Sequence, residues 1–180
     1  MSNELDQLST DLRKIISEQN RHLRDAVNES ADDIRQKGVQ RIAGTINLPR
    51  SYIEDRLFVS RRATQRTLEA AIHGLDRPVL LARFDAKQKY TTGKTVPQKN
   101  AGVGVRVKAS GSEKHMRSAF LLVLKNGALG LATREGKGRG NYRVRHGPSV
   151  GQLWRAYIND NDDALDDVAE RFMKRLAAYD

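Results

Sequence analysis

The most informative absence in this 180-residue chain is cysteine, which does not occur at all. Without cysteine there is no disulfide, no thiolate nucleophile and no cysteine-ligated metal. Long apolar runs are also missing: none approaches the ~20 residues of a membrane helix, and the polar start MSNELDQLST lacks the basic head and apolar stretch of a secretion signal. We therefore expect a soluble protein that has no membrane partner and is not exported.

Residue patterns of known catalytic and metal sites are also missing from the sequence. Its histidines stand alone, without a second histidine or a carboxylate at the spacing of a metal site. The aspartate-rich run 160–167 lacks the central glycine and terminal glutamate of a calcium loop, and GKGRG at 136–140 lacks the Gly-Lys-Ser/Thr ending of a phosphate loop. We therefore predict no catalytic residue, no cofactor and no bound metal. The histidines are His22, His73, His115 and His146.

Positive charge is concentrated in the middle third of the chain. Residues 1–82 hold 13 Lys+Arg and 12 Asp+Glu, a net charge of +1. Residues 83–146 hold 15 and 3, a net charge of +12, and residues 147–180 hold 4 and 7, a net charge of −3. A basic segment of this kind suits an acidic protein surface, nucleic acid or water alone.

The chain from Asn3 to about Ile42 predicts a long amphipathic helix, either continuous or broken near Gly38. Apolar residues recur at spacings of three, four and seven from Leu5 to Ile42, with no proline between them. At ~1.5 Å per residue this helix is roughly 60 Å long, more than the width of a domain of this size. We therefore divide the chain into a helical extension, 1–50, and an α+β domain, 51–180, and expect the helix to bury residues against a neighbouring subunit or partner as well as its own domain. The predicted interface residues are Leu12, Ile15, Ile16, Leu23 and Val27.

Residues 51–180 predict an antiparallel sheet followed by C-terminal helices, so the predicted fold class is α+β. Pro49, with Ser51 and Glu54 as a capping box, predicts a short helix that ends near Leu57. The stretches TLEAAIH, RPVLLARFDA and AGVGVRVKA predict strands, and the polar stretch that follows RPVLLARFDA predicts a long loop. A helix after residue 149 and a last helix over 162–178 complete the prediction.

Two turns are predicted from their residue types. Asn126-Gly127, between two apolar runs, predicts a hairpin with a two-residue type I′ turn, in which both residues have positive φ. After the basic strand YRVR, Gly147 and Pro148 turn the chain out of the sheet and Ser149 caps a helix whose Trp154 packs on the core. An ordinary strand-to-helix turn is an equally sufficient explanation for Gly147-Pro148.

The basic residues of the middle third fall mainly in two polar segments, Lys87–Lys99 and Arg134–Arg145. We expect them to extend into solvent, to meet an acidic neighbouring protein, or to meet DNA phosphate. Single-stranded nucleic acid is usually bound with aromatic residues that stack on bases, and few are available here, which favours the protein neighbour. The predicted assembly or anion-facing residues are Lys87, Lys89, Lys94, Lys99, Arg134, Lys137, Arg139, Arg143 and Arg145.

Several stretches of the chain, in this order, resemble one known family. They are ARFDA at 82–86, the glycine-valine strand at 102–107, AFLLVLKNGALGLATRE at 119–135 and HGPSV at 146–150. With a helical N-terminal region and a C-terminal helix, they make the chain from about residue 53 onward similar to the bacteriophage minor tail protein Z family. The first fifty residues resemble that family only in being helical.

The resemblance implies a structural protein of long-tailed phages rather than an enzyme. It implies a ring-forming subunit, expected to be a homo-hexamer, that completes the tail and joins it to the head. The implied neighbours are the tail terminator, the tail tube and the head-closure ring, with non-specific contact to DNA in the channel left open. The implied location is the tail or neck of the virion, after assembly in the cytoplasm of the bacterial host. The alternative function is that of a basic nucleic-acid-binding protein.

Overall fold

In a computed structural model, a long helix is followed by short antiparallel strands and a second main helix. The structure describes residues 2–91, 100–138, 140–160, 169–170, 172–174 and 177. The predicted α+β class is confirmed. The helices are α1 (Ser2–Thr45), α2 (Arg50–Glu54) and α3 (Val150–Asn159), and the strands are β1 (Leu57–Arg61), β2 (Ala71–Gly74), β3 (Val79–Leu80), β4 (Lys87–Tyr90), β5 (Asn100–Val105), β6 (Lys114–Met116), β7 (Ala119–Val123), β8 (Leu129–Arg134), β9 (Tyr142–Val144) and β10 (His146–Gly147).

Helix α1 is continuous over 44 residues and divides into two parts by burial. Its C-terminal part packs against the rest of the described chain, which we call the body, and Val39 and Ile42 are buried there. Every residue from 6 to 19 is exposed. The long helix predicted from the apolar spacing is therefore confirmed, and its first part extends beyond the surface that the body can cover.

The strands form four small antiparallel sheets rather than one. The pairs are β1–β2 and β3–β10, and the triplets are β4-β5-β6 and β7-β8-β9. Hydrogen bonds connect one sheet to another: the Leu121 amide donates to Gln88 Oε1 at 3.2 Å, and the Arg145 amide donates to the Leu131 carbonyl at 2.7 Å. The sheets consequently share one core.

That core contains residues from all three helices and from each sheet. Phe84, which follows the 3₁₀ turn Leu81–Arg83, is the largest fully buried side chain. A Cβ on Gly147 would lie 2.6 Å from the Phe84 ring, so only glycine fits there. The buried cluster comprises Val39, Ile42, Ile46, Leu48, Ile53, Leu57, Val79, Phe84, Val103, Val105, Ala119, Leu131 and Val150.

The predicted two-residue type I′ turn at Asn126-Gly127 is wrong. The Leu124 amide donates to the Ala128 carbonyl at 2.9 Å, so three residues lie between the paired positions. Only Gly127 among them has positive φ, 76°. Asn126 uses its side chain instead: its Oδ1 accepts from the Ala128 amide at 3.2 Å. The result is a β-turn that closes with glycine in the left-handed region, the other common hairpin connection.

Three further predictions about secondary structure need correction. Helix α2 begins after Pro49 with no side-chain cap, so the predicted Ser51 capping box is wrong. Strand β1 was not predicted, and it begins at Leu57, where the short helix was expected to end. In RPVLLARFDA only Val79–Leu80 is a strand, because the chain then turns through Leu81–Arg83. The start of the predicted polar loop is strand β4, which pairs with β5, and residues 92–99 lie outside the described part of the chain.

Ser149 caps α3 as predicted, but YRVR is not the last strand: Gly147 still pairs with Val79 in β10, so the chain leaves the sheet only after Gly147. The Gln152 amide donates to Ser149 Oγ at 3.0 Å and the Ser149 amide donates to Gln152 Oε1 at 3.0 Å, a complete capping box. Arg155 on α3 then donates two hydrogen bonds to Asp76, at 2.6 and 3.0 Å. Most of the last predicted helix, 162–178, lies outside the described residues, so it stays a prediction.

The contact between Trp154 and Gly38 gives a first prediction. A Cβ on Gly38 would lie 2.4 Å from the Trp154 ring, whereas a Cβ on Gly44, in the same helix, would meet nothing within 4 Å. Gly38→Ala should lower the free energy of unfolding by about 1–3 kcal/mol through overpacking, although alanine favours helix. Gly44→Ala should raise it by up to about 1 kcal/mol. Urea unfolding of both variants measures this, and equal effects would contradict the tight contact.

The hairpin turn gives a second prediction. Because a Cβ on Gly127 meets no atom within 4 Å, any cost of substitution comes from the positive φ alone. Gly127→Val should lower the free energy of unfolding by about 1 kcal/mol or more, and Gly127→Asn by less, since asparagine tolerates this conformation. Thermal melting compares the two, and an unchanged midpoint for the valine variant would refute the turn.

The link between Asp76 and Arg155 gives a third prediction. The hydrogen bond from Arg155 lowers the pKa of the Asp76 carboxyl below its ordinary value, despite partial desolvation. A depressed native pKa stabilises the fold above the ordinary aspartate pKa, and this contribution disappears as the pH falls through the native pKa. Asp76→Asn should therefore lower the melting temperature at neutral pH and converge with the wild type in acid. Arg155→Gln should lower the melting temperature at neutral pH in the same way, and the double variant should be no less stable than either single variant. A difference in melting temperature from the wild type that does not depend on pH would contradict the link.

Candidate assembly surfaces

The exposed part of α1 carries an apolar stripe. Leu8, Leu12, Ile15 and Ile16 are 57%, 51%, 53% and 58% exposed. Spacings of four, three and one place all four on one side of a helix. We call these four residues the N-terminal stripe; three of them are predicted interface residues, and Leu8, which the sequence analysis did not include, shares their periodicity.

The stripe ends where α1 meets the body. Leu23 and Val27, the other two predicted interface residues, are partly buried at this junction. Next to them, the Asn28 side chain donates to the Ala63 carbonyl at 3.1 Å and accepts from the Ala63 amide at 2.8 Å. This paired contact fixes the direction in which the helix leaves the body.

The predicted basic residues near β4 are partly neutralised by carboxylates. Lys87 lies 3.4 Å from Asp85, and Lys89 lies 2.7 Å from Glu113. Arg106 also donates to Asp85, at 3.0 Å. Desolvation raises the pKa of the Asp85 carboxyl, but the hydrogen bonds and charges of Lys87 and Arg106 lower it further, so it lies below the ordinary value. Two other predicted residues, Lys94 and Lys99, lie outside the described residues.

The predicted basic residues in and next to β8 and β9 also lie close to a carboxylate, that of Glu135. Glu135 lies 3.0 Å from Arg143 and 3.9 Å from Arg145. Arg134 stacks over a phenylalanine, with Cζ 5.1 Å from the Phe120 ring centroid. Lys137 is exposed, and Arg139 lies outside the described residues. The described parts of the two predicted basic segments therefore belong to different sheets and are anchored at several points.

A third basic cluster was not predicted from the sequence. Arg56, Arg77, Arg83 and His146 line a cleft of about 360 Å³ beside Tyr52. We call it the arginine cleft. Its cationic residues come from the connection between α2 and β1, the segment before β3, the 3₁₀ turn and β10, so no sequence spacing reveals that they meet.

The described residues offer no candidate metal site and no candidate membrane span. These contain no group of three or more His, Asp or Glu side chains that could hold a metal ion. No helix in the same part of the chain combines the length and apolar composition of a membrane span.

Comparison with known proteins identifies one family. The sequence model of the family described as prophage minor tail protein Z matches residues 4–178. No curated protein and no solved structure matches the chain. The family match includes α1, which the resemblance noted from the sequence did not cover beyond its helical character. Because the family match spans nearly all 180 residues, the chain belongs to the prophage minor tail protein Z family and is a structural protein of the phage virion tail.

Proposed function

We propose that this protein completes the tail and joins it to the head as a ring of identical subunits. In this ring, the N-terminal stripe of each subunit packs on the next subunit. The observation that carries the proposal is the exposure of the whole α1 segment 6–19 together with its one-sided apolar stripe. No enzymatic activity is part of the proposed function.

The energetics of the stripe support a protein partner. Complete burial of a fully exposed leucine or isoleucine contributes about 1.5–3 kcal/mol. The four side chains of the stripe expose 51–58% of their surface, so each contributes about half of that on burial, and together they are a substantial source of binding energy. A helical segment of this length is also marginal in water unless it packs against something. A subunit contact on the stripe would bury these apolar side chains and would also stabilise the helix.

A closed ring is the simplest assembly in which every copy uses the same contact. When one surface of a subunit binds a different surface of the next, repetition gives a ring if the rotation closes. We propose a homo-hexamer, with the tail terminator, the tail tube and the head-closure ring as neighbours in the virion. Assembly takes place in the host cytoplasm, and the basic residues of β4, β8 and β9 face acidic protein surfaces of these neighbours.

The stripe gives the fourth prediction, which tests the proposal. Leu12→Lys with Ile16→Lys should lower the assembly mass measured by light scattering, with little change in melting temperature, because both residues are exposed. The matched control is Thr10→Lys with Ser17→Lys, which adds the same charge to the opposite side of the helix. Removing residues 1–19 should have the same effect as the stripe variant.

The outcomes separate the proposal from its alternative. Unchanged assembly by both the stripe variant and the truncated chain would refute the role of the stripe. A wild-type monomer that binds DNA with steep salt dependence would instead support the nucleic-acid-binding function. Phage that carry the stripe variant should accumulate tails and heads that are not joined.

A further inference from the structure

The arginine cleft concentrates positive charge around one aromatic ring. The Arg56 Cζ lies 3.6 Å from the Tyr52 ring centroid and the Arg83 Cζ lies 4.8 Å from it. Arg77 and His146 complete the cationic lining of the cleft. Stacking on Tyr52 holds two guanidinium groups in place. Arg56 Nη1 also donates to the Tyr52 carbonyl at 3.3 Å, so an anion would be bound by the remaining N–H groups of Arg56 and by those of Arg83.

The charges of the cleft have no anionic partner among the described residues. No aspartate or glutamate lines the cleft, and no ion pair in this part of the chain includes Arg56, Arg77 or Arg83. Other arginines differ: Arg62 and Arg155, for example, each form an ion pair with an aspartate. An anion bound in the cleft would relieve the mutual repulsion of its cations.

The lining favours carboxylates on a peptide over the phosphates of nucleic acid. Two guanidinium groups already stack over Tyr52, so this ring is engaged and is not free to stack on a base. Leu80, Leu124 and Pro78 add apolar walls, which suit the carbon atoms of side chains. A volume of about 360 Å³ fits a few side chains and is far too small for a duplex. Arginine also pairs with carboxylates through two parallel hydrogen bonds.

The chain itself contains an acidic segment of the right kind. Five of the seven acidic residues in 147–180 are aspartates within 160–167, and all of these except Asp160 lie outside the described residues. Helix α3 leads away from the cleft: it begins beside Asp76, the neighbour of Arg77, and Asp160 at its end borders Thr45. The chain's own segment would therefore have to reverse direction, whereas that of another copy would not.

We propose that the arginine cleft binds the aspartate-rich segment 160–167 of a neighbouring copy of this chain. The inference rests on the proposed ring and specifies one of its contacts. Because the cleft and the acidic segment are different surfaces, the contact is head-to-tail, which is the type that generates rings.

Peptide binding tests the cleft, and this is the fifth prediction. A fluorescent peptide of residues 159–168 should bind the full-length chain in which the five aspartates are replaced by asparagine, so that its own segment does not compete. Arg77→Glu with Arg83→Glu should weaken binding about tenfold or more, through loss of charge-assisted hydrogen bonds. The control is Arg66→Glu with Arg117→Glu, which changes the net charge equally outside the cleft. If the peptide does not bind, or if the control variant weakens binding equally, the proposal is overturned. Competition is a further test: the proposal is also overturned if a DNA oligonucleotide displaces the peptide at a lower concentration than polyglutamate does.

Mixing variants then tests the head-to-tail contact. Arg77→Glu with Arg83→Glu in one chain, and Asp162→Asn with Asp166→Asn in another, should each reduce assembly. Mixed together they retain one intact cleft and one intact acidic segment, so they should form heterodimers that do not grow. Absence of heterodimers would show that the segment binds within its own chain and would overturn the proposal. A wild type that stays monomeric would refute the ring and, with it, the contact between copies. A wild type that assembles although its cleft does not bind the peptide would overturn the contact and leave the ring standing.

Discussion

The close contact between Gly38 and Trp154 is the constraint on which the rest of this structure depends. It holds α3 against the C-terminal part of α1 at a distance that no other residue at position 38 permits. From the same region of α1, Arg35 donates to the carbonyls of Glu54 and Leu57, at 3.0 and 2.6 Å, and so holds the end of α2 and the start of β1. The small sheets are thereby collected around one helix, although none of them is large enough to be stable alone.

This arrangement explains how a small body can support a long projecting helix. The buried residues Val39 and Ile42, with Ile46 directly after the helix, anchor the end of α1 in the core. The paired hydrogen bonds between Asn28 and Ala63 then fix its direction at the surface. A stiff helix anchored at one end presents its stripe at a defined distance and angle, as a repeated subunit contact requires.

Folding also changes how the positive charge of the chain is distributed. The sequence places a net charge of +12 in residues 83–146, yet the structure neutralises part of it locally through Asp85, Glu113 and Glu135. Three arginines that have no carboxylate partner among the described residues, Arg56, Arg77 and Arg83, meet at the arginine cleft, and Arg56 and Arg77 come from outside that segment. Net charge along the chain therefore did not reveal that these arginines meet.

The sequence by itself determined the elements whose signals are local. The period of apolar residues specified α1 and its stripe, and Ser149 with Gln152 specified the start of α3, because each depends on residues a few positions apart. The turn after Leu124 was only partly determined, since glycine at 127 indicates positive φ but the choice between two and three turn residues depends on how β7 and β8 pair. Strand β1, the division into four sheets and the arginine cleft were decided by the tertiary structure alone. They arise from contacts between residues distant in the chain, which no local pattern encodes.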